Sequence, residues 1–576
     1  QFVLIPEKTA IPAPYTSIGP NYVGGPNQIF ASNIVNIDNR RNYVAAYLQD
    51  EWKKNPKLTI TLGARWEYFQ PWKERYSAEA NFIPGTSAQY VIPSGRGFDT
   101  LPCGPLYPTT CALSYFDTLS TSFTNTLTSD GITLDYASRG KLVETKRTNI
   151  APRIGIAYQL TPKVVVRLGY GMFYGGLENE GARANLGGSY PFEVNYRYTS
   201  LDDGTPIKYG NTGVPATLEQ GLAPIPLTPF SATSNELVLR SIQPNFKNPY
   251  TQTVDLTVQY QRRSNDLIEL SLVGSTGTHL LINPGLNEVS EMLPTFQQRQ
   301  QNQPFASFAY GSSYLATTGS SKYTSGQLQY LRNLGHGLSF LANYTYARNR
   351  TDALDFFNSA SPQTYRAPYI PSFGLTGDYQ QADFNVRNAL HFSGGYDLPL
   401  GPGRQFLANK GDLMGKVLGN WTINWILTVE SGQPITIPCT ITTASGAGCD
   451  ALLAQGANPN AGAHNVNQFW NPAAFYNPAV ATSTGQSSLS PLGGAPTQVY
   501  GPQLRRLDAA LRRSFQITEK IRVDFRAEVY NAMNHPYFAP PSNLNFLNTT
   551  NFGQISSTRD NPNDAREIQF GIKFSF

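Results

Sequence analysis

The sequence lacks the long apolar segments of a helical membrane protein. No stretch supplies the roughly 18 consecutive apolar residues of a membrane-spanning helix, and the mean hydropathy is -0.32. Charged residues are also scarce, because they make up 14% of the 576 residues, against about 25% in soluble domains. These two absences exclude a helical membrane protein and indicate a chain that hides much of its surface from water.

Signatures of catalysis, metal binding and nucleic-acid binding are also missing. The five histidines are isolated from one another and from cysteine, without the spacing of metal ligands. There is no Gly-x-Ser-x-Gly elbow, and the Gly-Ser-Thr-Gly of residues 274–277 closes a predicted strand with no helix behind it. The net charge of +5 comes from scattered basic residues rather than from blocks. The sequence therefore predicts no enzyme, no metal or cofactor, and no nucleic-acid partner.

Only four cysteines occur, and they form two close pairs. Cys103 lies near Cys111, and Cys439 lies near Cys449, each pair in a segment rich in Gly, Pro and Thr. The spacing is too wide and too poor in histidine for a zinc site. We predict two local disulfides, which implies an oxidising compartment. Four free thiols are the alternative.

What the sequence has in abundance is alternation of apolar and polar residues. In the last segment, REIQFGIKFSF (566–576), an apolar residue occupies every second position. Residues 519–531 alternate in the same way and set Asp524, Arg526 and Glu528 on one face, which must meet water because a protein core does not accept unpaired charge. Strands with one apolar and one wet face are typical of a membrane β-barrel.

Thirteen segments carry this alternation and are predicted to be strands. Most contain about 9 to 13 residues, which is long enough to cross a bilayer at a tilt. The predicted strands are residues 42–52, 57–69, 153–160, 163–173, 251–262, 266–275, 322–333, 336–347, 388–398, 420–432, 504–516, 519–531 and 566–576.

The predicted connections alternate between very short and very long, with one intermediate link at residues 399–419. Turns such as KKNPK (53–57) and LTPK (160–163) are followed by segments of about 34 to 80 residues that are rich in Gly, Pro, Asn and Ser. This asymmetry predicts an all-β fold, a transmembrane antiparallel β-barrel with short periplasmic turns and long extracellular loops. If the final strand ends in the periplasm, every short turn lies there, and both cysteine pairs lie in external loops at 70–152 and 433–503.

Several segments resemble one family. Residues 42–69, NYVAAYLQDEWKKNPKLTITLGARWEYF, resemble the barrel hairpin of TonB-dependent receptors, in which a Gln-Asp-x-Trp strand leads through a Pro-containing turn to a Leu-Gly-x-Arg-Trp-Glu strand. Residues 151–174, 431–437, 525–538 and the C-terminal strand resemble the same family, and the most similar subgroup is the Oar-like receptors. The resemblance implies an outer-membrane protein of a Gram-negative bacterium that takes up a bulky solute, such as a siderophore, an oligosaccharide or a peptide. It also implies coupling to a TonB-type energy-coupling protein through a plug.

The chain departs from that family in two respects. Such receptors have 22 strands and an N-terminal plug, whereas thirteen strands and no plug are recognisable here. We therefore expect residues 42–576 to be the C-terminal part of a barrel and residues 1–41 to be an external loop or a partial strand. A fourteenth strand at residues 28–37, which would permit a small closed barrel, is the alternative.

The end of the chain resembles the sorting signal by which the barrel assembly machinery recognises outer-membrane proteins. The signal residues are Phe570, Ile572, Phe574 and Phe576. Physically, such a signal is an edge strand with one apolar face, offered for pairing. The resemblance thus implies two partners besides the energy-coupling protein, namely the lipid bilayer and the assembly machinery.

Charged residues on the wet faces of the predicted strands are candidates for contact with a solute or a plug. We predict that eight of them face the lumen: Arg65, Glu67, Arg167, Asp255, Glu430, Asp524, Arg526 and Glu528. The alternative is a solvated wall of paired neighbours, in which no single residue binds anything.

Aromatic residues fall into two groups. Those near strand ends, Tyr344 and Tyr346 among them, predict a girdle at the level of the lipid headgroups. In the loop segment FWNPAAFYNP, Trp470 and Phe475 are candidates for contact with a ligand, and packing inside the loop is the alternative. No loop carries a recognisable binding signature, so a passive porin and a surface protein that binds glycans remain alternative functions.

Overall fold

The computed structural model describes most of the chain, with gaps in the long connections. The described residues are 2–3, 28–32, 39–74, 79–94, 121–138, 142–176, 186–190, 192, 195–199, 238–282, 286–287, 303–308, 312–335, 337–353, 379–401, 403–406, 417–438, 440, 451–461, 464–477, 498–559 and 565–576.

Thirteen long strands form one antiparallel sheet, in which each strand pairs with its neighbours in sequence. All thirteen predicted strands are confirmed. Their bounds are β1 Tyr43–Asn55, β2 Leu58–Phe69, β3 Asn149–Thr161, β4 Val164–Tyr174, β5 Tyr250–Arg263, β6 Asp266–Ile282, β7 Ser313–Gly335, β8 Leu338–Thr351, β9 Asn388–Asp397, β10 Thr422–Glu430, β11 Leu504–Gln516, β12 Arg522–Tyr530 and β13 Glu567–Ser575.

The register of the strands separates an apolar face from a polar face. Leu256 of β5 pairs with Leu168 of β4 and with Leu272 of β6, whereas the adjacent Asp255 pairs with Gly169. Paired residues share a face and successive residues alternate, so the leucines and the aspartate lie on opposite sides of the sheet. The leucine side is called the apolar face and the aspartate side the polar face. On the apolar face, Leu272 is 53% exposed, which is unusual for an aliphatic side chain in the middle of a sheet and is explained if lipid covers it.

The two ends of the sheet differ in their connections. Five short turns join β1 to β2, β3 to β4, β5 to β6, β7 to β8 and β11 to β12, and they all lie at one end. The longer connections leave from the other end, whereas the intermediate connection of residues 398–421 lies at the end with the short turns. At the end with the longer connections, β6 and β7 continue well beyond the predicted lengths, and the start of β7 pairs in parallel with a short strand, Arg240–Ile242. The predicted range of β7 was too short because the start of this strand pairs with a loop strand and lacks strict alternation of apolar and polar residues.

Strands β1 and β13 are the two edges of the sheet, and in the described part of the chain they do not pair with each other. The alternative of a fourteenth barrel strand at 28–37 is not supported by residues 28–32, and residues 33–37 lie outside the described residues. The strand Gln28–Ser32 instead pairs with Phe2–Val3 and with Asn195–Thr199 in a separate small sheet. Its backbone groups therefore find partners among the loops and do not extend the large sheet.

The long connections contain short elements of their own. The helix α1 is Thr121–Ser129, and Leu186–Gly188 and Pro472–Ala474 are 3-10 turns. The remaining short strands are Asn39–Arg40, Lys73–Glu74, Asn81–Ile83, Gln89–Ser94, Thr133–Ser138, Glu144–Thr145, Asn245–Phe246, Gln380–Gln381, Pro434–Thr436, Leu452–Leu453, Phe475–Tyr476 and Gln498–Tyr500. None of the helices in the described ranges has the length and apolar character to cross a bilayer.

The two largest hydrophobic cores of the described residues lie among these loop elements. The first loop core draws on three connections and consists of Ala80, Phe82, Ala88, Tyr90, Ile92, Phe123, Leu127, Ile132, Tyr190, Phe192, Leu239, Leu286, Phe305 and Phe308. The second loop core draws on the last two long connections and consists of Ile437, Ala451, Trp470, Ala474, Phe475, Val499, Phe546 and Phe552. The long loops are thus packed structures, because residues far apart in sequence bury their side chains against one another.

Candidate functional site

The polar face of the sheet carries all eight charged residues that were predicted to face the lumen. The strand register alone places them there: each lies on the same side as Asp255 when the pairs are followed from strand to strand, and none lies on the side of Leu256. Their orientation toward a lumen stays a prediction, because it depends on how the sheet is closed.

At the long-loop end of β2, two of these residues form a closed network with a tyrosine. Arg65 Nε donates to Glu67 Oε1 at 2.8 Å, and Arg65 Nη2 donates to the Tyr43 hydroxyl at 2.8 Å. The Tyr43 hydroxyl in turn donates to Glu67 Oε1. Because the Glu67 side chain is 9% exposed and its charge is matched within the network, these groups hold β1 and β2 in register and leave little capacity for a ligand.

The charges on β12 are paired along the strand. Arg526 Nε lies 3.2 Å from Glu528 Oε1, and Arg522 Nη2 lies 3.2 Å from Asp524 Oδ2. The side chains of both arginines are more than half exposed, so each pair contributes little to stability. This arrangement provides a hydrated, neutralised wall rather than a single binding pocket.

The other three predicted residues are spread along the same face. The carboxylate of Asp255 lies over Gly169, in the space that a Cβ on Gly169 would need. Glu430 Oε1 lies 3.9 Å from His391 Nε2, and Arg167 is exposed. The structure therefore does not bring the eight residues together into one site.

The predicted ligand contact at Trp470 and Phe475 is corrected by their packing. Trp470 has no exposed surface and Phe475 is 6% exposed, and both rings contact Phe552 in the second loop core. Trp470 Nε1 also donates to the Tyr500 carbonyl oxygen at 3.1 Å. A ring enclosed in this way cannot stack on a ligand from solution, so these two residues hold the loops together.

Next to the second loop core, a polar network joins two connections. Arg387 Nη2 donates to the Tyr500 hydroxyl at 2.8 Å, and Gln381 Nε2 donates to the same oxygen at 2.9 Å. The Arg387 guanidinium also lies over the Tyr500 ring, 5.3 Å from its centre. Thr436 donates to Gln380 Oε1 at 3.1 Å. The network fixes the connection before β9 against the connection between β10 and β11.

Other predicted residues are placed as follows. The four cysteines, Cys103, Cys111, Cys439 and Cys449, lie outside the described residues. The four residues of the terminal signal lie at the edge strand β13 or just beyond it, with their side chains 61% exposed or more. Within the described ranges, no three His, Cys, Asp or Glu side chains are grouped so that they could hold a metal ion.

Comparison with known families decides the class of protein. The sequence matches the outer membrane beta barrel domain family over residues 17–569. The chain belongs to this family. This barrel protein therefore resides in the outer membrane of a Gram-negative bacterium, and its apolar face contacts the lipid bilayer. The short turns are periplasmic and the long connections are external, as predicted from the sequence.

The barrel protein is similar in fold to solved outer-membrane proteins, and no curated protein matches it. The outer membrane transporter YddB from Escherichia coli is 10% identical, with 93% of this chain and 45% of that chain covered and a TM-score of 0.43. BauA, the ferric preacinetobactin receptor from Acinetobacter baumannii, is 11% identical, with 96% and 44% covered and a TM-score of 0.36. The FrpB iron transporter from Neisseria meningitidis is 11% identical, with 94% and 46% covered and a TM-score of 0.36. The chain spans less than half the length of each.

One external site of the barrel protein was not found by sequence reasoning. A cavity of about 30 Å³ lies among the external connections and is lined by Glu79, Trp72, Thr145 and Phe246, among other residues. Glu79 is 6% exposed, and burial raises the pKa of its carboxyl to about 7. Its Oε2 accepts a hydrogen bond from the Glu74 backbone N–H at 3.4 Å. No sequence signal distinguishes this glutamate, because its burial depends on segments more than sixty residues away, such as the one with Thr145.

Proposed function

We propose that this chain forms the wall and the external capture loops of a TonB-dependent receptor that takes up a bulky solute such as a siderophore, an oligosaccharide or a peptide. The observation that carries the proposal is the packing of the long external connections into hydrophobic cores, of which the first and second loop cores are the largest. The resemblance of residues 42–69 to the receptor hairpin supports it.

Packed loops suit the capture of a scarce solute. Ordering a loop on binding costs about 0.5–1.5 kcal/mol for each immobilised side chain. A loop that is already folded around Phe123 or Trp470, both without exposed surface, avoids most of that cost. A passive pore gains nothing from such order, because its solutes pass without being held.

The polar face suits passage of a hydrated solute or contact with a plug. Its charges are paired at short range, as in Arg526 with Glu528, so it presents neither a strong positive nor a strong negative field. In this proposal residues 42–576 belong to a barrel of 22 strands, and residues 1–41 precede it in the loop region. A plug and a TonB-type protein supply the force, and the barrel assembly machinery inserts the protein by way of Phe576 and the alternating residues before it.

The experiment compares uptake by cells with and without the gene for this chain. Three radiolabelled probes are used: an iron-loaded hydroxamate chelate, a linear oligosaccharide and an oligopeptide. We expect the deletion to abolish high-affinity uptake of one probe, and we expect a protonophore to abolish the same uptake in the parent cells. Uptake that survives collapse of the proton gradient would identify a passive pore. Uptake of all three probes that is unchanged by the deletion would contradict the proposal.

A further inference from the structure

A basic patch interrupts the apolar face of the sheet. It consists of Lys322 on β7 and of Arg348 and Arg350 on β8. The register pairs Lys322 directly with Arg350, and Arg348 lies two residues before Arg350 on the same face. Tyr344 continues this face toward the periplasmic turn and is 41% exposed. Three positive side chains are therefore held close together on the side of the sheet that contacts lipid.

The height of the patch places it at the outer boundary of the membrane. Strands β7 and β8 turn at Gly335 and Leu338, and Arg350 lies 12 residues beyond Leu338 (350 − 338). At a rise of about 3.3 Å per residue and a tilt of about 45°, this distance raises Arg350 by about 28 Å. The apolar band of such barrels is about 25 Å tall. The exposed Tyr346, next to Arg348, fits the aromatic girdle at the same boundary.

The charge of the patch is not neutralised by the described residues. Lys322 and Arg348 are exposed, and no carboxylate in the described part of the chain forms an ion pair with either. The nearest acid along β8, Asp352, accepts a hydrogen bond from the Ser320 hydroxyl at 3.2 Å. Like charges directly opposite each other on a sheet are destabilising, by up to about 1 kcal/mol. An anion between them would remove that repulsion.

Several other basic side chains on the apolar face are already engaged. The Arg513 guanidinium lies 4.2 Å from the centre of the Phe515 ring, and Arg332 Nε lies 3.9 Å from Asp266 Oδ1. Arg350 itself lies over Tyr379, 4.8 Å from the ring centre. Arg505, which is also exposed on this face, donates to Gln503 Oε1 at 2.8 Å. Lys322 and Arg348 are exposed cations of this face that form no ion pair within the described ranges.

We propose that the basic patch binds the phosphate groups of a phosphorylated glycolipid in the outer leaflet. The headgroup phosphates of such a lipid lie at the height of the patch and reach it by lateral diffusion, so charge and position agree. Arginine offers a planar set of N–H donors that matches a phosphate, and lysine adds a compact charge. The inference needs only the membrane location of the chain and is independent of what the barrel transports.

The test measures binding of diphosphoryl lipid A to the purified chain in detergent micelles by native mass spectrometry. We expect the double variant Lys322→Gln/Arg348→Gln to bind about 30-fold more weakly, which corresponds to about 1 kcal/mol for each basic side chain near an anionic surface. The matched control is Lys57→Gln/Lys163→Gln, which removes two exposed charges from the periplasmic turns and should leave binding unchanged. Arg348→Lys, which keeps the charge, should retain most of the binding.

Three further results separate the lipid from other sources of phosphate. Lipid A stripped of both phosphates should bind weakly and equally to the parent and to the double variant. Inorganic phosphate in excess should not displace diphosphoryl lipid A, and displacement by it would overturn the proposal in favour of a simple anion site. Equal loss of binding in the control variant, or full binding by a folded double variant, would also overturn it. Heat-modifiable gel mobility establishes that each variant is folded.

Discussion

Gly553 lies against the face of Trp470, so closely that a Cβ on Gly553 would be 2.8 Å from Trp470 Cε3. The backbone of Gly553 has a φ of +75°, a conformation that favours glycine. The contact joins the connection before β13 to the connection between β10 and β11, and it closes the second loop core. The packing of these two external loops therefore requires that residue 553 is a glycine, which has no side chain.

Gly553→Ala should loosen the second loop core. The positive φ costs an alanine about 1 kcal/mol, and overpacking against the indole adds about 1–3 kcal/mol. The measurement is the opening free energy of residues 466–477 by hydrogen exchange. The control is Gly456→Ala, which has the same φ of +75° but no atom within 4 Å of the added Cβ. Gly456→Ala should lose only the roughly 1 kcal/mol of stability that the positive φ costs. Equal losses of stability in the two variants would contradict the close packing of Gly553 against Trp470.

Tyr500→Phe should detach the connection before β9 from the second loop core. The substitution leaves Arg387 and Gln381 without the oxygen to which both donate, and an unsatisfied donor costs about 1–3 kcal/mol. We expect faster hydrogen exchange in residues 379–387 and little change in β12. Tyr476→Phe is the control, since Tyr476 is 49% exposed. If Tyr476→Phe has the same effect on residues 379–387, the hydrogen-bond network is not what joins these segments.

The sheet could be predicted from the sequence because each strand carries its own signal. Residues such as Asp524 and Phe525 fall on opposite faces by a period of two that short segments reveal. The extension of β7 beyond the predicted start was missed because residues 316–321 are small or polar and show no apolar alternation, and because residues 313–315 pair with the loop strand Arg240–Ile242. Such pairing depends on residues distant in sequence.

The loop cores could not be predicted for the same reason. Phe82, Phe123 and Phe308 meet in the first loop core, yet they come from two connections and follow no common period. Trp470 was assigned a possible ligand contact because an aromatic residue among Asn and Pro reads as exposed, and its burial depends on Phe552. Local pattern reveals which residues form strands, but it does not reveal which loops pack together.

The loop region around Glu79 should become less stable as the pH rises. Burial raises the pKa of this carboxyl from 4.5 in the unfolded chain to about 7, so the folded state holds the proton more tightly. Local stability is therefore greatest below about pH 4.5, falls between pH 4.5 and about 7, and is lowest above that range. The total change is about 3 kcal/mol, because each unit of pKa is worth about 1.4 kcal/mol.

Hydrogen exchange of residues 79–94 across this pH range, corrected for intrinsic exchange rates, measures the effect. Glu79→Gln keeps an oxygen that accepts from the Glu74 N–H and should abolish the pH dependence. Glu144→Gln, which changes an exposed carboxyl in the same region, should preserve it. A pH dependence that persists in Glu79→Gln would assign it to another group.

Phe576→Ala should impair assembly without destabilising the assembled protein. Phe576 is fully exposed, so the folded chain gains no packing from it, whereas the proposed sorting signal requires it. We expect less protein in the outer membrane by quantitative immunoblotting and an unchanged thermal midpoint of the assembled fraction. Ser575→Ala is the neighbouring control. Normal assembly of Phe576→Ala would exclude the terminal residue from recognition.

The most direct test of the two-faced sheet is a scan of spin labels along β12 in lipid bilayers, in a background without the four native cysteines. Labels at Val523, Phe525, Ala527 and Val529 should collide with oxygen dissolved in the lipid. Labels at Asp524, Arg526 and Glu528 should collide with a water-soluble nickel complex. The predicted result is strict alternation between the two reagents along the strand. Uniform access to one reagent, or alternation of the opposite sense, would contradict the assignment of the apolar face to lipid.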